Sequence, residues 1–104
     1  MNGFENRVKG FEAKYRVDQE NEFKVISRRN RLLGEWAATQ MGLSGDATGS
    51  YAKKVVESYF TKPGGAGVVE KMLADFGDKD IAIDEIALRK KMDELRAVAQ
   101  EQLS

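Results

Sequence analysis

The sequence predicts an all-α fold: an antiparallel four-helix bundle preceded by a weakly ordered N-terminal arm. Three observations predict it. Nowhere do β-branched and aromatic residues alternate at period two over a useful length, so strand signals are missing. After Val17, four amphipathic stretches are separated by short connections that carry glycine or proline. Ahead of them lies a further apolar stripe that breaks off before the bundle begins.

That stripe is Phe4, Val8, Phe11 and Tyr15. At about 100° per residue these four fall within roughly 60° of one another on a helix. Glu5 and Glu12 flank the stripe on one side, Arg7 and Lys14 on the other. Arg16 to Glu22 then offers only Val17, and the apolar pattern restarts at Phe23 on a shifted phase. Gly3 and Gly10 lie inside the segment, each costing about 1 kcal/mol of helix propensity relative to alanine. A short isolated helix is marginal in water even without glycines. Residues 1–17 therefore read as an arm that becomes helical on a partner, and residues 18–104 as the bundle. The pattern alone also permits the segment to extend the first bundle helix.

The first bundle helix is predicted from about Asp18 to Met41, with Gly42 as its stop. Phe23, Ile26, Leu33, Ala37 and Met41 form one stripe; Val25, Leu32 and Trp36 form another, rotated by roughly 100°. Only Lys24, Arg28, Arg31 and Glu35 make a clearly polar back. A helix apolar over so wide an arc needs more than one neighbour, so this is the central helix, with Trp36 largely buried. Asn30, within the first stripe, is expected to be a buried polar residue bonded between helices.

The second helix follows Leu43 to Ser50, where Ser44, Asp46 and Ser50 are candidate N-caps. Its ladder is Tyr51, Ala52, Val55, Val56, Tyr59 and Phe60, and Pro63 ends it. The third runs from about Ala66 to Phe76 with Gly77 as terminator. The last starts at Asp84 as N-cap, with Ile83 and Leu88 placed for a hydrophobic staple. Leu88, Met92, Leu95, Ala99 and Leu103 follow it at three- and four-residue steps. Four such helices on short connections imply the antiparallel bundle.

Composition narrows the function. Lysine plus arginine equals aspartate plus glutamate, 17 against 17, so no global field calls for nucleic acid or anionic lipid. No apolar run approaches the length of a membrane span, and no signal-peptide core is visible. The chain has no cysteine and no histidine, which removes thiol nucleophiles, imidazole acid–base chemistry and the usual ligands of zinc. An enzyme is not expected.

Several clusters read better as structure than as sites. The turn Pro63-Gly64-Gly65-Ala66-Gly67, followed by Lys71, offers glycines before a helix, but it lacks the phosphate-loop order and no strand precedes it. Lys24, Arg28, Arg29 and Arg31 are cations with no acid between them, and Asp75, Asp78, Asp80, Asp84 and Glu85 gather acids. Both fit a solvated face or a charged protein partner. Asp93 and Glu94 are adjacent and so diverge on a helix. Trp36, Tyr51 and Phe60 are expected in the core.

Four motifs together resemble the zeta subunit of the F-type ATP synthase of alphaproteobacteria. They are F-E-x-R-x-x-x-F-E-x-K-Y (Phe4 to Tyr15), F-K-x-x-x-R-R-N-R-L-L-G-E-W-A-A (Phe23 to Ala38), Y-A-K-x-V-V (Tyr51 to Val56) and K-M-D-E-L (Lys91 to Leu95). The second is the most specific. This chain departs from the common pattern at Tyr15, where phenylalanine is frequent, and at Gly3 and Gly10, where better helix formers often stand. The resemblance implies a non-catalytic inhibitor of ATP hydrolysis. Its N-terminal segment would enter the catalytic head at an alpha/beta interface, reach the gamma subunit and block rotation. It further implies a protein that is monomeric when free, inserts no segment in the membrane, and sits in the cytoplasm at the inner membrane through the synthase. By that carry-over the partner-binding residues are Phe4, Glu5, Arg7, Val8, Phe11, Glu12, Lys14 and Tyr15. No cofactor is expected, with weak nucleotide binding left open. The competing expectations are a small helical nucleotide-binding module and a structural adaptor.

Overall fold

The computed structural model describes the backbone of residues 2–104 and the side chains of residues 18–104. Among the described residues the chain is all-helical, with four helices and no strand: α1 (Asn2–Gln40), α2 (Asp46–Ser58), α3 (Ala66–Asp78) and α4 (Glu85–Gln102), plus a 3₁₀ turn at Pro63–Gly65.

α1 is one uninterrupted helix, already under way at Asp18, where the apolar pattern predicts its start. The cause lies in Arg16 to Glu22. This stretch loses apolar side chains but holds no glycine or proline, so it ends a packing stripe without ending the hydrogen-bond ladder. The stop at Gly42 (φ +79°) is as expected. The Leu43 N–H donates to the Ala38 carbonyl at 2.8 Å and the Gly42 N–H to Thr39 at 3.1 Å, the paired bonds of a left-handed helix cap.

α2 corrects the capping assignment. Its N-cap is Gly45 (φ 60°), and no side chain caps it, so neither Ser44, Asp46 nor Ser50 has that role. Asp46 instead stands in the first turn, where its charge complements the helix dipole. Ala52 and Val55 are buried, but Phe60 is 65% exposed. The helix ends at Ser58, so Phe60 leaves the ladder that periodicity assigned it. α3 likewise runs through Gly77 to Asp78. Its reversal comes at Asp80 (φ 56°), a residue type that tolerates the left-handed region, and the Ile81 N–H closes the cap onto Phe76 at 2.9 Å. At α4 the expected cap is present: Asp84 Oδ1 accepts from the Ala87 N–H at 2.8 Å. Leu88 is buried and Ile83 packs on the same core, as a staple requires.

The core gathers Leu33 and Ala37 of α1, Val55 of α2, Val68, Met72 and Phe76 of α3, and Leu88 and Met92 of α4. α1 packs against both α2 and α4, and α3 closes on the latter two. α2 lies close against α1. A Cβ on Gly34 would stand 2.6 Å from the Ala52 Cα, so only glycine fits at that crossing. Gly67 does the same at the start of α3, where a Cβ would overlap the Ser58 carbonyl and the Thr61 hydroxyl.

Two core expectations need correcting. Trp36 is only partly buried: it packs edge-on against Phe76 (ring centroids 5.8 Å) at the rim, with the Lys91 ammonium 5.5 Å from its ring. Asn30 is buried, 1% exposed, but its Oδ1 accepts from Arg29 of the same helix (Nη2, 3.0 Å) and not from another helix. The α2–α3 seam carries a polar cluster instead. The Tyr51 hydroxyl donates to Asp75 Oδ2 at 2.8 Å, and Lys71 Nζ reaches the same oxygen at 2.9 Å. Burial first, then the bond to Asp75, raises the Tyr51 pKa well above its ordinary value.

Gly34→Ala should cost about 1–3 kcal/mol in urea unfolding, because α2 must move away from α1. Gly49→Ala in α2, where a Cβ meets nothing within 4 Å, should instead add about 0.5–1 kcal/mol. Equal responses at the two sites would refute the close crossing. Tyr51 yields a pH prediction. Its phenol is held protonated in the fold, so its contribution is present below the ordinary tyrosine pKa of about 10 and is lost as pH rises through the raised folded value. Tyr51→Phe should cost about 1 kcal/mol at pH 7 and flatten the alkaline loss of stability. Parallel pH profiles for both proteins would contradict this.

Candidate partner interface

The residues singled out on the arm lie on one continuous backbone with the core helix. The side chains of Phe4, Glu5, Arg7, Val8, Phe11, Glu12, Lys14 and Tyr15 lie outside the described residues. At the root of the arm, Phe23 and Ile26 of α1 and Tyr59 at the end of α2 line a shallow depression rimmed by Asp18 and Glu22. Glu22 is bonded to Arg96 of α4. Phe23 is 49% exposed and its ring lies 6.0 Å from that of Phe60, which stands edge-on to Tyr59 at 5.4 Å. This exposed aromatic row was not anticipated, since periodicity places Phe23 and Phe60 on core stripes. The legible signal was position: Phe23 opens its stripe next to a polar stretch, and Phe60 sits three residues before Pro63.

The basic run divides. Arg29 turns inward, and burial, then the nearby Arg96, lowers its pKa. Arg28 donates to the neutral Gln102 amide at 2.8 Å, and Arg31 pairs with Glu35 at 3.3 Å. Lys24 is exposed.

The acidic cluster is largely structural. Asp75 serves the Tyr51–Lys71 seam, Asp84 caps α4, and Glu85 pairs with Arg89 at 3.2 Å. Asp93 and Glu94 do not converge; Glu94 pairs with Lys91 at 3.6 Å.

The glycine loop is a helix–helix connection. Gly64 and Gly65 take left-handed angles, and a Cβ on Gly65 would stand only 3.0 Å from the Tyr59 ring, so both angle and space favour glycine there. Lys71, the candidate phosphate ligand, points to Asp75 and lies 5.2 Å from the Tyr51 ring centroid. Among the described residues no group of three or more acidic side chains could hold a metal ion, and no helix is long and apolar enough to cross a membrane. The described surface near Phe23 is apolar and partly charged.

The family model described as ATPase inhibitor subunit zeta matches residues 1–102. A protein solved in solution by NMR is similar in both sequence and fold. It has 40% identity and a TM-score of 0.70, over 79% of this chain and 93% of that one. No curated protein matches. The family match covers the arm, all four helices and the seams between them, and the chain belongs to the ATPase inhibitor zeta subunit family.

Proposed function

We propose that this protein, a member of an ATPase inhibitor family, blocks ATP hydrolysis by inserting its N-terminal helix at a catalytic alpha/beta interface of an F-type ATP synthase head, against the gamma subunit. The family match, which includes residues 1–17, carries this reading. The arm's single apolar stripe supports it as helix-in-groove recognition. So does the continuity of α1, because a helix from residue 2 to residue 17 projects about 24 Å at 1.5 Å per residue. A rod rooted in a folded body can wedge an interface that must open and close, and inhibition then needs no chemistry from the chain.

In this reading Phe4, Val8, Phe11 and Tyr15 bury against the head, with Phe11 at the centre. Arg7 and Lys14 meet acidic groups, while Glu5 and Glu12 meet basic ones or stay at the rim. Residues 18–104 form an antiparallel bundle that remains outside and raises the local concentration of the arm. The antiparallel arrangement is supported by Lys91 lying over Trp36 while Arg96 and Gln102 reach Glu22 and Arg28 nearer the start of α1. The protein is non-catalytic, a monomer when free, and is held at the inner membrane through the synthase.

Removing residues 1–17 should abolish inhibition of ATP hydrolysis by the purified head while the melting of residues 18–104 stays nearly unchanged. Phe11→Asp should do nearly as much damage, since it strands a charge at the centre of the apolar stripe. Lys9→Ala should be mild, because Lys9 lies roughly 140° from Phe4 around the helix. Arg7→Ala should be intermediate and more visible at low salt. Equal inhibition by full-length and truncated protein would place the activity in the bundle instead.

A further inference from the structure

The back of α1 carries a second feature that the arm does not use. Lys24, Arg28 and Arg31, four and three residues apart, share one face of the helix. Around them lies a shallow apolar depression lined by Phe23, Val56 of α2 and Leu103 just beyond α4. Three exposed large hydrophobics come together on this side of the molecule, since Phe60 packs against Phe23 and Leu103 is 50% exposed. The cations there are weakly compensated. Arg28 is bonded to a neutral amide, Lys24 makes no ion pair among the described residues, and Arg31 has a single exposed partner in Glu35. A chain of zero net charge thus places positive charge around an apolar floor at one site.

We propose that this face docks an acidic amphipathic segment of the ATP synthase head. Its carboxylates would meet Lys24, Arg28 and Arg31, and its apolar side chains would cover Phe23, Val56 and Leu103. The inference rests on the inhibitory reading above and adds the chemistry of the bundle's partner. Charge complementarity selects the occupant. The cations call for carboxylates and the apolar floor for apolar side chains on one surface; nucleic acid would leave that floor uncovered, and a second copy of the chain would set the cations against one another. The face lies on the helix that continues into the arm, so docking here fixes the arm's root and its direction together.

The test is direct binding of the full chain to the purified head, measured by fluorescence titration beside ATP hydrolysis. The double variant Lys24→Glu/Arg28→Glu should weaken binding by tenfold or more and flatten its salt dependence. Phe23→Ser/Leu103→Ser should weaken it with the salt dependence retained. Lys79→Glu/Lys90→Glu, the same change of net charge elsewhere, should bind like the wild type. Thermal melts check that each variant is folded. Once saturated, the Lys24/Arg28 variant should still inhibit fully, because its arm is intact. Wild-type affinity in both face variants would overturn the proposal, even if Phe11→Asp abolishes inhibition. It would also be overturned by a dimer in sedimentation that the face variants disperse, by capture on anionic vesicles that they abolish, or by tighter head binding after deletion of residues 1–17. A wild-type chain that binds through this face without inhibiting hydrolysis would instead refute the inhibitory reading and leave the docking face standing.

Discussion

The rest of the structure depends on how closely α2 lies against α1. Gly34 leaves room for the Ala52 backbone, and with the helices that near, Val55 reaches the Leu33–Ala37 stripe directly. A larger residue at either position would hold α2 away and open a gap in the core, and interiors at native packing density do not tolerate such gaps cheaply. Gly67 repeats the device where α3 starts against the end of α2. Two glycines at crossings thus set the spacing of three helices, and α4 covers the side of α1 that remains.

This spacing has a functional consequence through α1. From Phe23 to Gln40 the helix is clamped by α2 and α4, while its backbone continues to Asn2 as the same element. The core therefore sets the axis along which the N-terminal segment leaves the body. For the obstruction we propose, this matters more than any reactive group. The polar clusters support the same end: Asp75 ties α2 to α3, Asp84 caps α4, and Glu22 and Arg28 bond to α4 along the root of the arm.

Much of this was legible in residue order. The four helices, the Gly42 stop, the Asp84 cap and the central place of α1 follow from periodicity and end signals, because these are local properties. The misses come from element ends, from neighbours in space and from side-chain bonds that periodicity does not encode. Phe60 and Phe23 sit on core stripes by period yet stay about half exposed or more, since α2 ends at Ser58 and Phe23 lies at the edge of the packed helices, against Phe60. Trp36 rests on the rim because the interior between α1 and α3 is already filled by Leu33, Phe76 and Met72. Asn30 satisfies its oxygen within its own helix through Arg29, which the pattern cannot reveal. The place of Gly34 inside α1 is explained only by the approach of Ala52. The arm residues proposed to meet the partner, Phe4 to Tyr15, are legible only as a stripe, and their proposed role rests on the resemblance to the family.

The most direct test of the account is where the arm goes when hydrolysis stops. A photo-crosslinking amino acid placed at position 11 of the full-length chain should, on illumination during inhibition, join the chain to a subunit lining a catalytic interface or to the rotating subunit. The yield of that adduct should rise in step with the loss of ATP hydrolysis. Full inhibition with no adduct from position 11, while the same group at Lys24 crosslinks efficiently to the outside of the head, would contradict the account.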